Sequence, residues 1–254
     1  MTQLPNTSSC GATALLNVLL ALELDVDLHK AAEAVHTNLR RPDSPLPDYL
    51  LSRSLAGCTH AELISAVNNT VPQVKARFFP FHNRSFQLAQ WLASWISRGL
   101  VPVLTINVQK ARLNSDGLIQ DSWHHQMVWG VSGHEIYLAN PLEMVHERLL
   151  VQQISSPSEL LIRRSDVVSR FHPSLDLSEI LNLGQRWQDM NVLGQVVNVI
   201  REERAAMKEE TATLTSHVRI PASYSSGVTL FCQAANEEGW RCLREAPDLP
   251  PVRK

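Results

Sequence analysis

The sequence predicts an α+β fold in which a central N-terminal helix packs on an antiparallel sheet. Two stretches carry this prediction. Residues 11–22 are apolar on nearly every side, which is typical of a helix buried inside a fold. Much later, two β-rich runs at 123–131 and 134–141 enclose Ser132-Gly133, and this pattern predicts a β-hairpin.

The bulk properties are those of an ordinary globular protein. A chain of 254 residues forms one large domain or two small ones and can bury a sizeable core. Its composition, 44% hydrophobic and 19% charged, falls in the usual range. A formal net charge of −2 gives no electrostatic reason to expect nucleic acid or an acidic membrane as a partner, and neither is assigned.

Cysteine usage and the apolar run predict a cytoplasmic location. The run at 11–22 is too short to cross a bilayer, and no basic segment precedes it as in a secretory signal. The four cysteines are widely spaced and form no CxxC pair or zinc-ligand pattern. Free thiols in a reducing compartment are the simplest account, so neither a metal nor a cofactor is predicted.

Three helices and two strands are predicted between the two informative stretches. Asp27 is suited to cap a helix within 25–36, and Thr59 with Glu62 forms a capping-box pattern for a helix that ends near Asn68. The elements that follow are a strand at 74–79, a helix at 85–98 and a strand at 100–108.

The character of the chain changes after the hairpin. A third strand at 144–150 and a helix at 156–171 complete a predicted domain of residues 1–172. Residues 173–254 are predicted as an extension of unknown role, with helical patterning over 175–210. Two further strands, at 217–224 and 228–233, flank Ser225-Ser226-Gly227 and predict a second β-hairpin.

Cys10 is the candidate nucleophile. It stands where the buried helix begins, so unpaired backbone N–H groups and the positive end of the helix dipole favour its thiolate. The alternative is that Cys10 is a small buried hydrophobic residue at the top of a core helix.

A thiol nucleophile needs a base within hydrogen-bond reach and a third group that fixes the base. One histidine of the His124-His125 pair opens the first hairpin strand and Asn140 closes the second, so both lie at one end of the sheet. Taken singly, a histidine is more often structural and Asn-Pro is more often a turn. Their order and spacing relative to Cys10 favour a Cys–His–Asn site.

These residues resemble the papain-like cysteine peptidase superfamily. The resemblance rests on Ser-Cys-Gly-Ala-Thr-Ala-Leu at 9–15, the His-led strand, the turn Gly-Val-Ser-Gly and Tyr-Leu-Ala-Asn-Pro at 137–141, and it spans roughly residues 3–150. It is closest to the bacteriocin-processing, double-glycine (C39-like) branch. The resemblance implies a papain-like fold with the cysteine heading the central helix, a histidine base and an Asp or Asn that orients the imidazole.

The resemblance also bears on the choice of histidine. In papain-like enzymes the catalytic histidine commonly lies six residues before a strand-ending glycine and sixteen before the orienting residue. His124 meets both spacings, to Gly130 and to Asn140, whereas His125 misses each by one. Strand alternation favours His125 instead, because that residue shares a face with Met127. We assign the base to His124.

The family's oxyanion-hole glutamine usually stands six residues before the cysteine. Gln3 stands seven before Cys10, and Leu4 occupies the expected position. With a one-residue insertion in the loop, Gln3 could donate to the oxyanion, and Asn6 is a less favoured substitute.

The predicted function is therefore a cysteine hydrolase of peptide or other amide bonds, with a peptide or protein as substrate. Its catalytic residues would be Cys10, His124, Asn140 and Gln3. Two alternatives stay open: a papain-like scaffold that has lost catalysis and binds a peptide or protein, and a transglutaminase-like acyl transferase. The off-register Gln3 motivates the first of these.

Overall fold

The computed structural model describes residues 9–84, 86–110, 123–207 and 214–250. They form a mixed fold of helices and antiparallel sheet, which confirms the α+β class. The helices are α1 (Cys10–Ala21), α2 (Leu28–Glu33), α3 (Leu46–Leu55), α4 (His60–Thr70), α5 (Leu88–Ile96), α6 (Glu147–Ile154), α7 (Arg164–Val168), α8 (Gln185–Asp189), α9 (Val192–Ala206) and α10 (Glu237–Glu245). The strands are β1 (Val74–Pro80), β2 (Val101–Asn107), β3 (Trp123–Ser132), β4 (Glu135–Ala139), β5 (Glu143–His146), β6 (Glu159–Arg163), β7 (His217–Pro221) and β8 (Gly227–Gln233).

A six-stranded antiparallel sheet is the centre of the molecule. Its strand order is β1-β8-β2-β3-β4-β5. Helices α1, α2 and α4 pack over one face, and α5, α6 and α10 pack over the other. Side chains alternate along a strand, so β3 supplies Met127 to the α1 side of the core and Val128 to the α5 side.

Helix α1 occupies the place that its composition predicts. Nine of its twelve residues are buried, and it packs against β2 and β3. A helix that is apolar all round needs contacts on several sides, and α2 and α4 supply the remaining ones. The prediction of a central N-terminal helix on an antiparallel sheet is confirmed.

Local signals in the N-terminal half are also confirmed. Asp27 accepts a hydrogen bond from the Lys30 N–H and caps α2. Thr59 and Glu62 form the reciprocal capping box of α4. Strands β3 and β4 form the expected hairpin, with Gly133 in its turn at a positive φ of 60°.

The predicted helix at 156–171 is wrong. Residues 159–163 form strand β6, and only 164–168 turn into a short helix. Within β6 the buried residues Leu160 and Ile162 alternate with less buried neighbours, which is the two-residue period of a strand.

The predicted C-terminal β-hairpin is also wrong. Strand β7 pairs with β6 in a separate two-stranded sheet, whereas β8 pairs with β1 and β2 in the main sheet. The two strands part at 222–226, where the Ser226 hydroxyl donates to the carbonyl of Ser156. Neighbours in sequence are therefore not neighbours in the sheet.

Strand β8 belongs to residues 173–254, which the sequence predicts to be an extension of the first domain. In the structure β8 lies between β1 and β2 of the main sheet. Its first six residues are buried because the strand is covered on both faces. The core around Trp187 and α9 likewise includes Leu50 and Trp123 from the N-terminal part. Residues before and after position 172 thus lie in the same six-stranded sheet and in the same core around Trp187.

Candidate active site

Cys10 is the first residue of α1, at the end of the sheet where β3 begins. Its sulfur forms hydrogen bonds with three groups, namely the imidazole of His124 and the backbone N–H groups of His125 and Gly11. Because the first N–H groups of a helix have no intrahelical partner, they are free to stabilise a negative sulfur. The position suits a thiolate.

His124 is the second residue of β3 and is half-buried. Its Nε2 donates to the main-chain oxygen of Asn140 at 2.6 Å. The ring also bonds the Cys10 thiol. Because Nε2 is engaged by Asn140, we infer that Nδ1 makes that contact. Cys10, His124 and Asn140 therefore lie together in one chain of hydrogen bonds.

Asn140 acts on His124 through its backbone. The residue follows β4 directly and adopts a φ of 71°, a left-handed conformation that Asn tolerates better than most residues. This conformation presents the carbonyl of Asn140 to the ring. The prediction that Asn140 orients the base stays a prediction, and the contact that the structure provides for it is a main-chain one.

The protonation equilibria of Cys10 and His124 move in opposite directions. Burial raises the pKa of Cys10, but the hydrogen bond and positive charge of His124, with the two backbone N–H groups, outweigh burial and lower it. Burial lowers the pKa of His124, but the hydrogen bond and charge of Cys10, with the Asn140 carbonyl, outweigh burial and raise it. Each group favours the charged form of the other, so the pair favours thiolate and imidazolium.

His125 has a different environment from that of its neighbour. It is fully buried, its Nδ1 lies 3.1 Å from the Thr105 hydroxyl, and its Nε2 lies 2.7 Å from the carbonyl of Cys58. Burial lowers the pKa of His125 to about 4, so the ring is neutral at pH 7. Both ring nitrogens of His125 have partners within the core. His125 therefore contacts the Cys10 sulfur through its backbone N–H and not through its ring.

Three residues near the site are absent from the sequence prediction. Cys58 packs its sulfur against Gly11. Tyr224 stacks on Trp123 at a ring separation of 5.5 Å and donates to the carbonyl of Ala56 at 2.7 Å. No local motif marks Cys58 or Tyr224, because their proximity to Cys10 depends on long-range folding.

The third residue that the sequence prediction lacks is acidic. Glu143 accepts a hydrogen bond from Gln126 at 2.6 Å, and its charge contributes to the raised pKa of His124. Glu143 lies at the start of β5, three residues after Asn140. The sequence signal for this residue is its position three residues after Asn140, the predicted orienting residue.

Gln3 and Asn6, the two candidates for the oxyanion hole, lie outside the described residues. Their assignment stays a prediction. Within the part of the chain that the structure describes, no group of three or more His, Cys, Asp or Glu side chains is arranged to hold a metal ion. In the same part, no helix is both long enough and apolar enough to cross a membrane.

Comparison with known proteins adds little detail. No family model matches the chain, and no curated protein matches it. Three chains of solved structures do match. One is a crystal structure from Bacillus anthracis with the provisional description of a C39-like peptidase. It is 20% identical, has a TM-score of 0.42, and the match covers 60% of this chain and 86% of that one. Similarity at this level does not assign the chain to a family.

Proposed function

We propose that this protein is a papain-like cysteine hydrolase that cleaves peptide or other amide bonds. The observation that carries the proposal is the hydrogen-bonded series from the Cys10 thiol through the His124 ring to the Asn140 carbonyl. A nucleophile in contact with a base, and a base fixed by a third group, is the arrangement that acyl-transfer chemistry requires.

In the proposed reaction the Cys10 thiolate attacks the carbonyl carbon of the substrate. The imidazolium of His124 then donates its proton to the leaving amine, which releases the first product and leaves an acyl-enzyme. His124, now neutral, takes a proton from water as that water attacks the thioester. The second product leaves, and the thiolate–imidazolium pair is restored.

The Asn140 carbonyl supports both halves of this cycle. By accepting from Nε2 it fixes the tautomer of neutral His124, so that Nδ1 is the nitrogen that exchanges a proton with the reacting groups. Backbone N–H groups at the start of α1 are donors for the oxyanion. Gln3 is the proposed side-chain donor.

Activity-based labelling tests the nucleophile. The wild-type chain should be labelled by a peptide that carries a thiol-reactive acyloxymethyl ketone, and the Cys10→Ala variant should not be labelled. Cys242→Ser is the matched control, because Cys242 is a half-buried free thiol remote from the site. If the Cys10→Ala variant is labelled as strongly as the wild type, the proposal is wrong.

Product analysis then separates hydrolysis from its alternatives. The labelled wild type should convert peptide substrates into fragments whose summed mass exceeds the parent by that of one water. Products that carry an added amine would indicate acyl transfer instead. If the protein binds peptides without any turnover, the binding-scaffold alternative replaces the proposal.

A further inference from the structure

Cys58 is a buried thiol that the proposed hydrolysis does not use. It is 1% exposed, and its sulfur lies directly against Gly11, the residue that follows Cys10. A β-carbon on residue 11 would overlap this sulfur, so only glycine admits such a close approach. The site therefore has a second thiol, packed against the same helical turn that carries the first.

The main chain around Cys58 is fixed from several sides. The carbonyl of Cys58 accepts from His125 Nε2 at 2.7 Å. On one side of Cys58, Gly57 exchanges two backbone hydrogen bonds with Asn38, each 2.8 Å long. On the other side, Thr59 caps α4. These bonds hold Cys58 beside the first turn of α1.

We propose that Cys10 and Cys58 form a reversible disulfide when a peroxide oxidises the site. The pair is then an oxidation site of the enzyme, and its reduction restores the nucleophile. This inference rests on the proposed function, because it requires the reactive thiolate of Cys10.

The first step is oxidation of Cys10. Its thiolate attacks one oxygen of hydrogen peroxide, so that an S–O bond forms and the O–O bond breaks. Hydroxide leaves and takes up a proton from solvent. The sulfur loses two electrons to the peroxide and becomes a sulfenic acid.

In the second step the sulfur of Cys58 attacks the sulfur of Cys10. The S–S bond forms and the S–O bond breaks. The departing hydroxide leaves as water with the proton of the Cys58 thiol. In total, two thiols and one hydrogen peroxide give one disulfide and two waters.

The electrostatics of the pair favour this order of events. Burial, followed by the negative charge of Cys10, raises the pKa of Cys58, whereas the pKa of Cys10 is lowered by His124. Cys58 therefore stays a thiol, and Cys10 forms the thiolate more readily. Of these two cysteines, Cys10 is therefore the one that peroxide oxidises first. A sulfenic acid carries no charge, so oxidation of Cys10 removes one of the effects that keep Cys58 protonated.

Peptide mapping of the wild-type protein is the direct test. The reduced full-length chain is treated with hydrogen peroxide, its remaining thiols are alkylated, and the protein is digested without reductant. We expect a cross-linked pair of peptides containing Cys10 and Cys58, lighter by two hydrogen atoms than the sum of the two reduced peptides. A disulfide from Cys10 to Cys232 or Cys242, or none at all, would overturn the proposal.

Recovery of labelling provides the second test. Peroxide should abolish the labelling of Cys10 in wild type, and dithiothreitol should restore it to its initial level. In Cys58→Ser the loss should persist after dithiothreitol, because sulfenic acid without a thiol partner goes on to sulfinic acid. Cys242→Ser should recover like wild type. Full recovery of Cys58→Ser would contradict the inference.

Labelling before peroxide is added separates this inference from the proposed function. If reduced wild-type protein is not labelled at Cys10, the proposed function fails. If it is labelled but forms no bond to Cys58, only the disulfide fails. Mapping of the wild type needs no variant, so poor folding of Cys58→Ser would not leave the question open.

Discussion

His124 and His125 are adjacent, yet their surroundings give them opposite protonation behaviour. His124 is half-buried and bonds the Cys10 thiol and the Asn140 carbonyl, and its pKa is raised. His125 is fully buried between Thr105 and Cys58, and its pKa is lowered to about 4. Successive side chains of a strand point to opposite faces, so one step along β3 separates the proposed base from a neutral core residue.

The comparison teaches that residue type alone does not define a base. His124 has a partner that gains a negative charge, and this charge stabilises the imidazolium. Both partners of His125 are neutral, and burial penalises its charged form. Three experiments bear on this difference.

Replacement of His124 should have the largest effect. In His124→Ala the rate of Cys10 labelling should fall by roughly 10²–10⁴, the usual contribution of a general acid–base group. The pH at which labelling reaches half its maximum should also rise toward that of an ordinary thiol, because the hydrogen bond and charge of His124 lower the pKa of Cys10. Labelling rates measured between pH 5 and pH 10 report both changes.

His125→Gln is the matched variant, since an amide can still donate to the carbonyl of Cys58. It should keep the low pH midpoint of the wild type. If His125→Gln shifts that midpoint and His124→Ala does not, the assignments of the two histidines are reversed.

The second prediction concerns stability and pH. Unfolded His125 takes up a proton near its ordinary pKa of 6.5, whereas the folded residue does so only near 4. Between these values the unfolded chain binds more protons, so this contribution is present above pH 6.5 and is lost as pH falls. The loss between pH 7 and pH 4 should be about 3 kcal/mol.

Urea unfolding of wild type and His125→Gln at several pH values measures this contribution. Other titrating groups affect both proteins alike, so the difference between their free energies of unfolding isolates His125. That difference should shrink steadily from pH 7 to pH 4. A difference independent of pH would mean that His125 is not held neutral by the fold.

The smallest effect is expected at Thr105. Thr105→Val removes the hydroxyl 3.1 Å from Nδ1 of His125 and should cost about 1 kcal/mol of stability. The rate of Cys10 labelling should be unchanged, because the Thr105 hydroxyl bonds His125, whereas Nε2 of His124 bonds the Asn140 carbonyl. Loss of labelling comparable to that in His124→Ala would show that the two histidine environments are not independent.

Much of the site geometry was predictable because it depends on short-range patterns. A hairpin with a histidine at one end and an asparagine at the other brings His124 beside Asn140, and a cysteine before an all-apolar helix lies at the helix N-terminus. That Cys10 and a histidine lie together is an expectation of the resemblance to papain-like enzymes, and His124 is the histidine whose ring contacts Cys10. That the contact from Asn140 is made by its carbonyl was not predictable, because it depends on a positive φ and not on side-chain chemistry.

The environment of His125 was not predictable for a different reason. Its partner Cys58 lies 67 residues away, and no motif links the two. Strand pairing in the C-terminal part was missed in the same way. The Ser-Ser-Gly at 225–227 favours local pairing of β7 and β8, but β8 is nearly continuously apolar, which is typical of a strand covered on both faces in the middle of a sheet.

The central place of β8 also has a consequence for synthesis of the chain on the ribosome. Strands β1 and β2 are complete early, but they are joined only through β8, which is made more than a hundred residues later. Until Gly227–Gln233 has emerged, both strands have an unpaired edge open to other chains. We therefore expect the nascent protein to be most prone to aggregation just before its last strand arrives, and the site to mature late.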